Sequence, residues 1–232
     1  MSFHPQLTLA VTSPEDARFD NFYAGPNTQL VRALKSQWTT AGTPFIYLWG
    51  TEGSGRSHLL QAACQYAQSL GHQSMYIPLQ DFCEHPAAVI DGVEQLPLVA
   101  LDNLDRIPPG SDWEERLFHL FNRLQDQQGH LLVTASVAPA QLDIQLADLK
   151  SRMSSGVVFQ LQPLSDQEKA AALILRAGDR GIQLSDDVAH YLLSRGPRDM
   201  AGLTELLQTL DQASLRAQRR LTIPFVREEL GW

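Results

Sequence analysis

Residues 50–57 combine three glycines with a basic and a hydroxyl residue at the spacing of a phosphate-binding loop. They read Gly50, Thr51, Glu52, Gly53, Ser54, Gly55, Arg56 and Ser57. Glycines let backbone N–H groups close around phosphate oxygens, and a helix that follows directs its positive end at them. The Ser57 hydroxyl has the position of a Mg²⁺ ligand. The segment therefore predicts a nucleotide phosphate site.

Two departures from the usual pattern bear on hydrolysis. Arg56 stands where the pattern has lysine, and a planar guanidinium replaces a slim point charge. Asp102 follows the apolar run 98–101, where P-loop proteins hold Mg²⁺, but the next residue is Asn103, whose amide cannot act as a base. The sequence therefore predicts phosphate binding with weak intrinsic hydrolysis.

Alternating strands and helices must position these groups. Apolar runs suited to buried parallel strands occur at 45–49, 74–79, 98–101, 131–134 and 157–161. Helical periodicity or helix signals occur before the first of these runs, at 29–38, and between later ones, at 57–70, 87–96 and 113–127. This alternation predicts the α/β class: a P-loop parallel sheet of five strands, flanked by helices.

The character of the chain changes after Pro163. Helices are expected over 165–177, 186–194, 198–219 and 224–230, with a short strand considered at 221–223. We therefore divide the chain into a flexible N-terminal arm (1–18), a nucleotide-binding α/β domain (19–163) and a small all-helical lid domain (164–232).

Composition narrows the function classes. The 232-residue chain carries a net charge of -8, which disfavours direct binding to a nucleic-acid backbone. Its two cysteines, Cys64 and Cys83, have no metal-ligand spacing and make no disulfide framework. No signal peptide and no apolar stretch of membrane length are evident. We expect a cytoplasmic protein with no membrane partner.

Over nearly its whole length the sequence resembles the Hda-like proteins of the DnaA-related AAA+ family. The residues that carry the resemblance are 6–9, 19–22, 47–49, 52–60, 101–103, 151–152, 161–166 and 221–226. Such proteins bind the sliding clamp of the replicative polymerase and, with DNA engaged, promote hydrolysis of ATP held by the initiator DnaA. The resemblance implies ADP or a related nucleotide as cofactor, Mg²⁺ as a possible companion, and DnaA and the clamp as partners. DNA is then contacted only indirectly, and self-association stays open.

The resemblance also implies individual roles. The clamp-binding peptide corresponds to Gln6, Leu7, Thr8 and Leu9, which in extended form would place two leucines in an apolar groove. Arg152 matches the arginine finger that acts on a neighbour's nucleotide, and Arg198 matches the lid residue that senses nucleotide. The remaining cofactor contacts would come from Phe19, Phe22, Tyr23 and His58. At Ser136 relatives often carry an aspartate, and its role is left open.

Three other functions remain to be weighed. A self-sufficient AAA+ ATPase, such as a helicase loader, is disfavoured by Arg56 and Asn103. A small-molecule kinase would need a lid rich in arginines; Arg176 and Arg180 are present, but the order of the two domains is that of AAA+ proteins. A scaffold would need no catalytic residue. A DnaA initiator would continue beyond the lid into a helix-turn-helix domain, and we expect none here.

Overall fold

A computed structural model describes residues 17–39 and 42–232 of the chain. Its sheet contains β1 (Phe45–Trp49), β2 (Ser74–Pro78), β3 (Leu98–Asp102), β4 (His130–Ala135) and β5 (Val157–Gln160). The strands run parallel in the order β2-β3-β4-β1-β5. The predicted five-stranded parallel sheet is confirmed.

Helices cover both faces of this sheet. They are α1 (Thr28–Ser36), α2 (Arg56–Ser69), α3 (Leu79–Phe82), α4 (Asp112–Asp126) and α5 (Ala147–Met153). Alternate residues of β1 enter different cores: Tyr47 packs with Phe121 of α4, whereas Ile46 and Leu48 pack with Leu59 of α2. Burial on both faces explains the continuous apolar runs of the strands.

The helix expected over 87–96 is wrong. The structure has two short 3-10 turns there, Ala87–Ile90 and Val93–Gln95, separated by Gly92 at φ +91°. A residue in the left-handed region cannot continue an α-helix, so the segment breaks at Gly92. Ala87, Ile90 and Val93 are all buried, and this spacing of three also suits 3-10 turns, which explains the misleading periodicity.

The lid is entirely helical within the described residues after β5. It contains α6 (Asp166–Asp179), α7 (Asp186–Arg195), α8 (Met200–Ala217) and α9 (Ile223–Leu230), which share a core of their own. The side chains of Ser165, Asp199 and Thr222 cap the first turns of α6, α8 and α9. The strand considered at 221–223 is wrong, because Thr222 and Pro224 begin a helix instead.

Among the described residues, no helix is both long and apolar enough to span a lipid bilayer.

Candidate nucleotide site

The glycine-rich loop joins β1 to α2 at the carboxyl edge of the sheet. Gly53 and Gly55 have φ +72° and +101°, values that L side chains rarely adopt. A Cβ on Gly53 would lie 2.8 Å from Cβ of Asp199 in the lid, and one on Gly55 would lie 2.9 Å from the Phe22 ring. The loop therefore needs glycine for its backbone and for the close approach of two neighbours.

A cleft of about 620 Å³ opens beside this loop. Gly53, Arg56 and Ser57 line it from the loop, and Arg176, Arg180 and Met200 line it from the lid. Its volume lies within the range of ordinary small-molecule sites. Of the predicted loop residues, Glu52, Gly53, Gly55, Arg56, Ser57 and His58 line this cavity, whereas Gly50, Thr51 and Ser54 do not.

Two buried polar groups of the loop have no hydrogen-bond partner within residues 17–39 and 42–232. Arg56 is only 9% exposed and its Nη1 is unbonded, as is the buried Oγ of Ser54. Burying a charged donor without an acceptor is costly, because its bonds to water are lost without replacement. A phosphate group supplies negative oxygens to such donors. The loop is therefore chemically suited to an anionic ligand.

Asp102 lies at the end of β3 and is fully buried. Its carboxylate accepts hydrogen bonds from the Tyr76 hydroxyl (2.7 Å) and from Thr134 Oγ1. Burial first, and then the nearby Asp102 charge, raise the pKa of Tyr76, while hydrogen bonds with Gln61 and Ser57 act in the opposite direction. Two hydroxyl groups therefore hold the carboxylate of Asp102 in place at the end of β3.

The donor set fits a magnesium ion that is held mainly by phosphates. No cluster of three or more His, Cys, Asp or Glu side chains suited to a metal occurs within residues 17–39 and 42–232. Ser57 lines the cleft and is the protein group that would hold Mg²⁺, which neutralises phosphate charge when bound. Asp102 would act on that ion through intervening groups.

Ser136, whose role the sequence left open, is bound to Asp105. Its backbone N–H and its Oγ contact the two carboxylate oxygens of Asp105 at 3.0 and 2.6 Å. After burial, Asp105 is the largest contributor to the raised pKa of Tyr47, and Arg56 opposes it. The sequence pattern did not single out Asp105, because only the packing of β4 beside β3 brings it to Ser136.

His58 connects the phosphate loop, the N-terminal segment and the lid. Arg176 Nη2 lies 2.8 Å from its Nδ1, and the carbonyl oxygen of Arg18 lies 3.0 Å from its Nε2. A guanidinium only donates, so Nδ1 accepts and Nε2 donates, which assigns a neutral imidazole. Asp179 of α6 also accepts bonds from Arg18 and Asn21. His58, which follows the loop, and the N-terminal segment therefore bind α6 and hold the lid against the phosphate loop.

The three aromatic residues predicted to contact the cofactor lie in different surroundings. Phe22 lies against Gly55 and 5.5 Å from the His58 ring. Phe19 is buried in the core, with its ring edge-on to Tyr66. Tyr23 packs against Gly25 and is not among the residues that line the cleft. Of the three, Phe22 is therefore the one in contact with the phosphate loop.

The two other predicted arginines both lie outside the cleft. Arg198 is exposed before the start of α8, and its carbonyl oxygen accepts a bond from Lys169 (2.9 Å). Arg152 is half-buried on α5, with its guanidinium 5.6 Å from the centre of the Phe121 ring. The predicted clamp peptide, residues 6–9, lies outside the described residues.

Sheet order, phosphate loop and helical lid together define a nucleotide-binding AAA+ protein. The family model of the bacterial DnaA ATPase domain matches residues 14–160. The model of the Hda lid domain matches residues 166–230. The chain therefore belongs to the bacterial DnaA ATPase-domain family, and it carries a lid of the Hda type.

Solved structures agree with this assignment at the level of the fold. Domain III of DnaA from Thermotoga maritima is 19% identical with a TM-score of 0.81, over 94% of this chain and 96% of that chain. AMPPCP-bound DnaA from Aquifex aeolicus is 19% identical with a TM-score of 0.70, over 85% and 65%. The RuvB branch-migration motor of Thermotoga maritima is 17% identical with a TM-score of 0.63, over 89% and 68%. This chain spans about two thirds of the length of the Aquifex aeolicus DnaA chain and of the RuvB chain.

Proposed function

We propose that this protein switches off the replication initiator DnaA. It holds a nucleoside diphosphate, attaches to the polymerase sliding clamp, and presents Arg152 to ATP bound by DnaA. Hydrolysis of that ATP then prevents re-initiation. The observation that carries the proposal is that Arg152 lies outside the chain's own cleft, on a separate short helix. An arginine so placed is available to a nucleotide on another molecule.

The chain's own nucleotide has a structural role in this proposal. Arg56 offers an unbonded donor to phosphate, so binding is supported. Asp102 is occupied by two hydroxyl donors, and the residue after it is Asn103, so no carboxylate follows Asp102 to orient an attacking water. A bound ADP, with Mg²⁺ at Ser57, would therefore persist. Calorimetry checks this: tighter binding of triphosphate, with activity only in that state, would contradict it.

Arg152 would act by electrostatics. Charge develops on the γ-phosphate oxygens during transfer, and a guanidinium supplied from a second molecule stabilises it by two parallel hydrogen bonds. Such an arginine accelerates hydrolysis by about 10³–10⁵-fold. The DnaA-related family of the chain and its Hda-type lid support DnaA as the partner that holds this ATP.

Single-turnover hydrolysis of ATP bound to DnaA, with clamp-loaded DNA, tests the proposal. The wild-type chain should accelerate the reaction, and Arg152→Ala should not. Arg116→Ala is the matched control, because Arg116 is an exposed arginine of the same domain and its guanidinium forms an ion pair with Asp91. Equal acceleration by Arg152→Ala and wild type would refute the role of Arg152.

Attachment to the clamp is a separate claim with its own test. Gln6 and Leu9 would bind as part of an extended peptide, with the leucine in an apolar groove. Changing both to Ala should abolish capture of the protein on immobilised clamp while nucleotide binding is retained. Undiminished capture would remove the tether from the proposal.

A self-sufficient ATPase is the second candidate. The observation that favours this candidate is the fold that the chain shares with the RuvB motor. Rapid ATP turnover by the isolated chain, abolished by Asp102→Ala, would support that candidate over the first. We expect turnover to be slow because Asn103 supplies no carboxylate.

A further inference from the structure

One buried carboxylate connects three separate segments of the chain. Glu114, in the first turn of α4, is 2% exposed. Its Oε1 accepts the N–H groups of Gly110 (2.9 Å) and Gln145 (3.0 Å), and its Oε2 accepts that of Leu146 (2.7 Å). Leu146 immediately precedes α5, the helix that carries Arg152. Glu114 therefore fixes the point at which α5 begins.

Helix α4, which carries Glu114, also contacts the far end of α5. Phe121 lies seven residues, about two turns, after Glu114, so both side chains are on one face of α4. Its buried ring faces the guanidinium of Arg152 at 5.6 Å. Thus α4 holds the backbone at the start of α5 through Glu114 and the functional side chain near its end through Phe121.

Contacts of this kind must determine where α5 lies. The helix has seven residues, and helices of about two turns are not stable in isolation. Its orientation therefore depends on its anchors rather than on its own hydrogen bonds. A shift of roughly 1 Å in a catalytic group can reduce a rate about 10²-fold.

We propose that Glu114 is a positioning residue for Arg152: by binding the N–H groups of Gln145 and Leu146, it sets the orientation in which α5 presents the guanidinium to a partner's nucleotide. The inference rests on the proposed function of Arg152 and adds to it the group that holds Arg152 in place.

Glu94 provides a matched comparison within the same domain. It is also a nearly buried carboxylate, at 9% exposure, and it too accepts a backbone N–H, that of Gly92 at 2.9 Å. Its other hydrogen-bond partner is Arg123 of α4, so neither of these two partners belongs to α5. The two glutamates thus share burial and bonding to backbone, and they differ in the segment that they hold.

The test measures single-turnover hydrolysis of DnaA-bound ATP as a function of the concentration of this protein, with clamp-loaded DNA. Glu114→Gln keeps the shape of the side chain but replaces one acceptor with a donor that faces N–H groups. We expect the rate at saturation to fall about tenfold, while the half-saturating concentration and the affinity for ADP stay unchanged. Glu94→Gln should leave all three quantities unchanged.

Phe121→Leu is the second variant, because it keeps an apolar side chain in the core and removes the ring face beneath Arg152, together with the edge-on contact to Phe45. It should show the same selective loss of saturating rate, so the inference stays testable if Glu114→Gln does not fold. Full saturating rates in the variants, with Arg152→Ala inactive, would overturn this inference alone. An equal loss in Glu94→Gln would also overturn it. A fully active Arg152→Ala would overturn the proposed function as well.

Discussion

Arg56 is buried and Arg152 is half-buried in the same domain, yet the two arginines have opposite surroundings. Arg56 lines the cleft from the phosphate loop, and its Nη1 has no hydrogen-bond partner in the part of the chain that the structure describes. Arg152 lies outside the cleft on α5, where the Phe121 ring supports it. Arg56 is placed by a local turn, and its Nη1 donor suits a phosphate of the nucleotide that we propose this chain binds. Arg152 is placed by long-range packing, which suits a group directed at another molecule.

The largest expected effect separates these two roles. Arg152→Ala should lower the stimulated hydrolysis of DnaA-bound ATP by about 10³-fold, since an arginine supplied in trans is worth 10³–10⁵. The same variant should bind ADP as tightly as the wild type, because Arg152 does not line the cleft. Single-turnover kinetics and calorimetry check the two halves. A parallel loss of ADP affinity would mean that the two arginines are not independent.

Arg56→Ala is the converse experiment. Two hydrogen bonds between a charged group and phosphate contribute roughly 3–4 kcal/mol, so ADP should bind a few hundredfold more weakly. Stability without ligand should not fall, because the variant removes a buried donor that has no partner. Titration calorimetry and thermal unfolding measure these quantities. Arg56→Lys, which keeps the charge, should recover part of the affinity.

A smaller effect is expected from the backbone of the loop. Gly55→Ala places a Cβ at φ +101° and 2.9 Å from Phe22, so we expect a loss of about 1–3 kcal/mol in the free energy of unfolding. Gly178→Ala is the control: this exposed glycine of α6 has no atom within 4 Å of a Cβ, and alanine should stabilise the helix by about 0.5–1 kcal/mol. Denaturant unfolding of both variants should therefore give opposite signs.

The smallest effect concerns the pH dependence of the anchor of Arg152. Burial tends to raise the pKa of Glu114, but the N–H groups of Gly110, Gln145 and Leu146 together hold it below its usual range. A folded-state pKa below the unfolded value contributes stability above the unfolded pKa, and this is lost as the pH falls through the folded value. Stability should thus decline below about pH 4.5, and less so in Glu114→Gln. Equal declines in urea titrations would contradict this.

Local patterns predicted one half of this comparison better than the other. The five strands and the phosphate loop follow from contiguous residues, because burial on both faces and glycine-dependent turns leave a signal in the sequence. The seven residues of α5 leave little periodicity, and their anchor Glu114 lies more than thirty residues earlier. The Asp105–Ser136 contact likewise depends on strands that are neighbours only in the folded sheet.

The lid shows the same limit. The prediction placed the third lid helix at 198–219, whereas Asp199 caps a helix that begins at Met200, which leaves Arg198 exposed. The lid arginines that do line the cleft, Arg176 and Arg180, face it because α6 packs against the N-terminal segment. The family resemblance predicted which residues contact the nucleotide, but the packing of the helices determines which of them reach the cavity.

The contact between Gly53 and Asp199 gives α8 a mechanical property. Asp199 touches the phosphate loop at the very start of an eighteen-residue helix, which is about 27 Å long. Over this length, a tilt of α8 by about 5° about that contact displaces the opposite end of the helix by roughly 2 Å. The phosphate loop thus lies at the pivot of this tilt, and the opposite end of α8 is the part that the tilt displaces most. We therefore expect any change at this contact on nucleotide binding to appear as a displacement of the far end of α8.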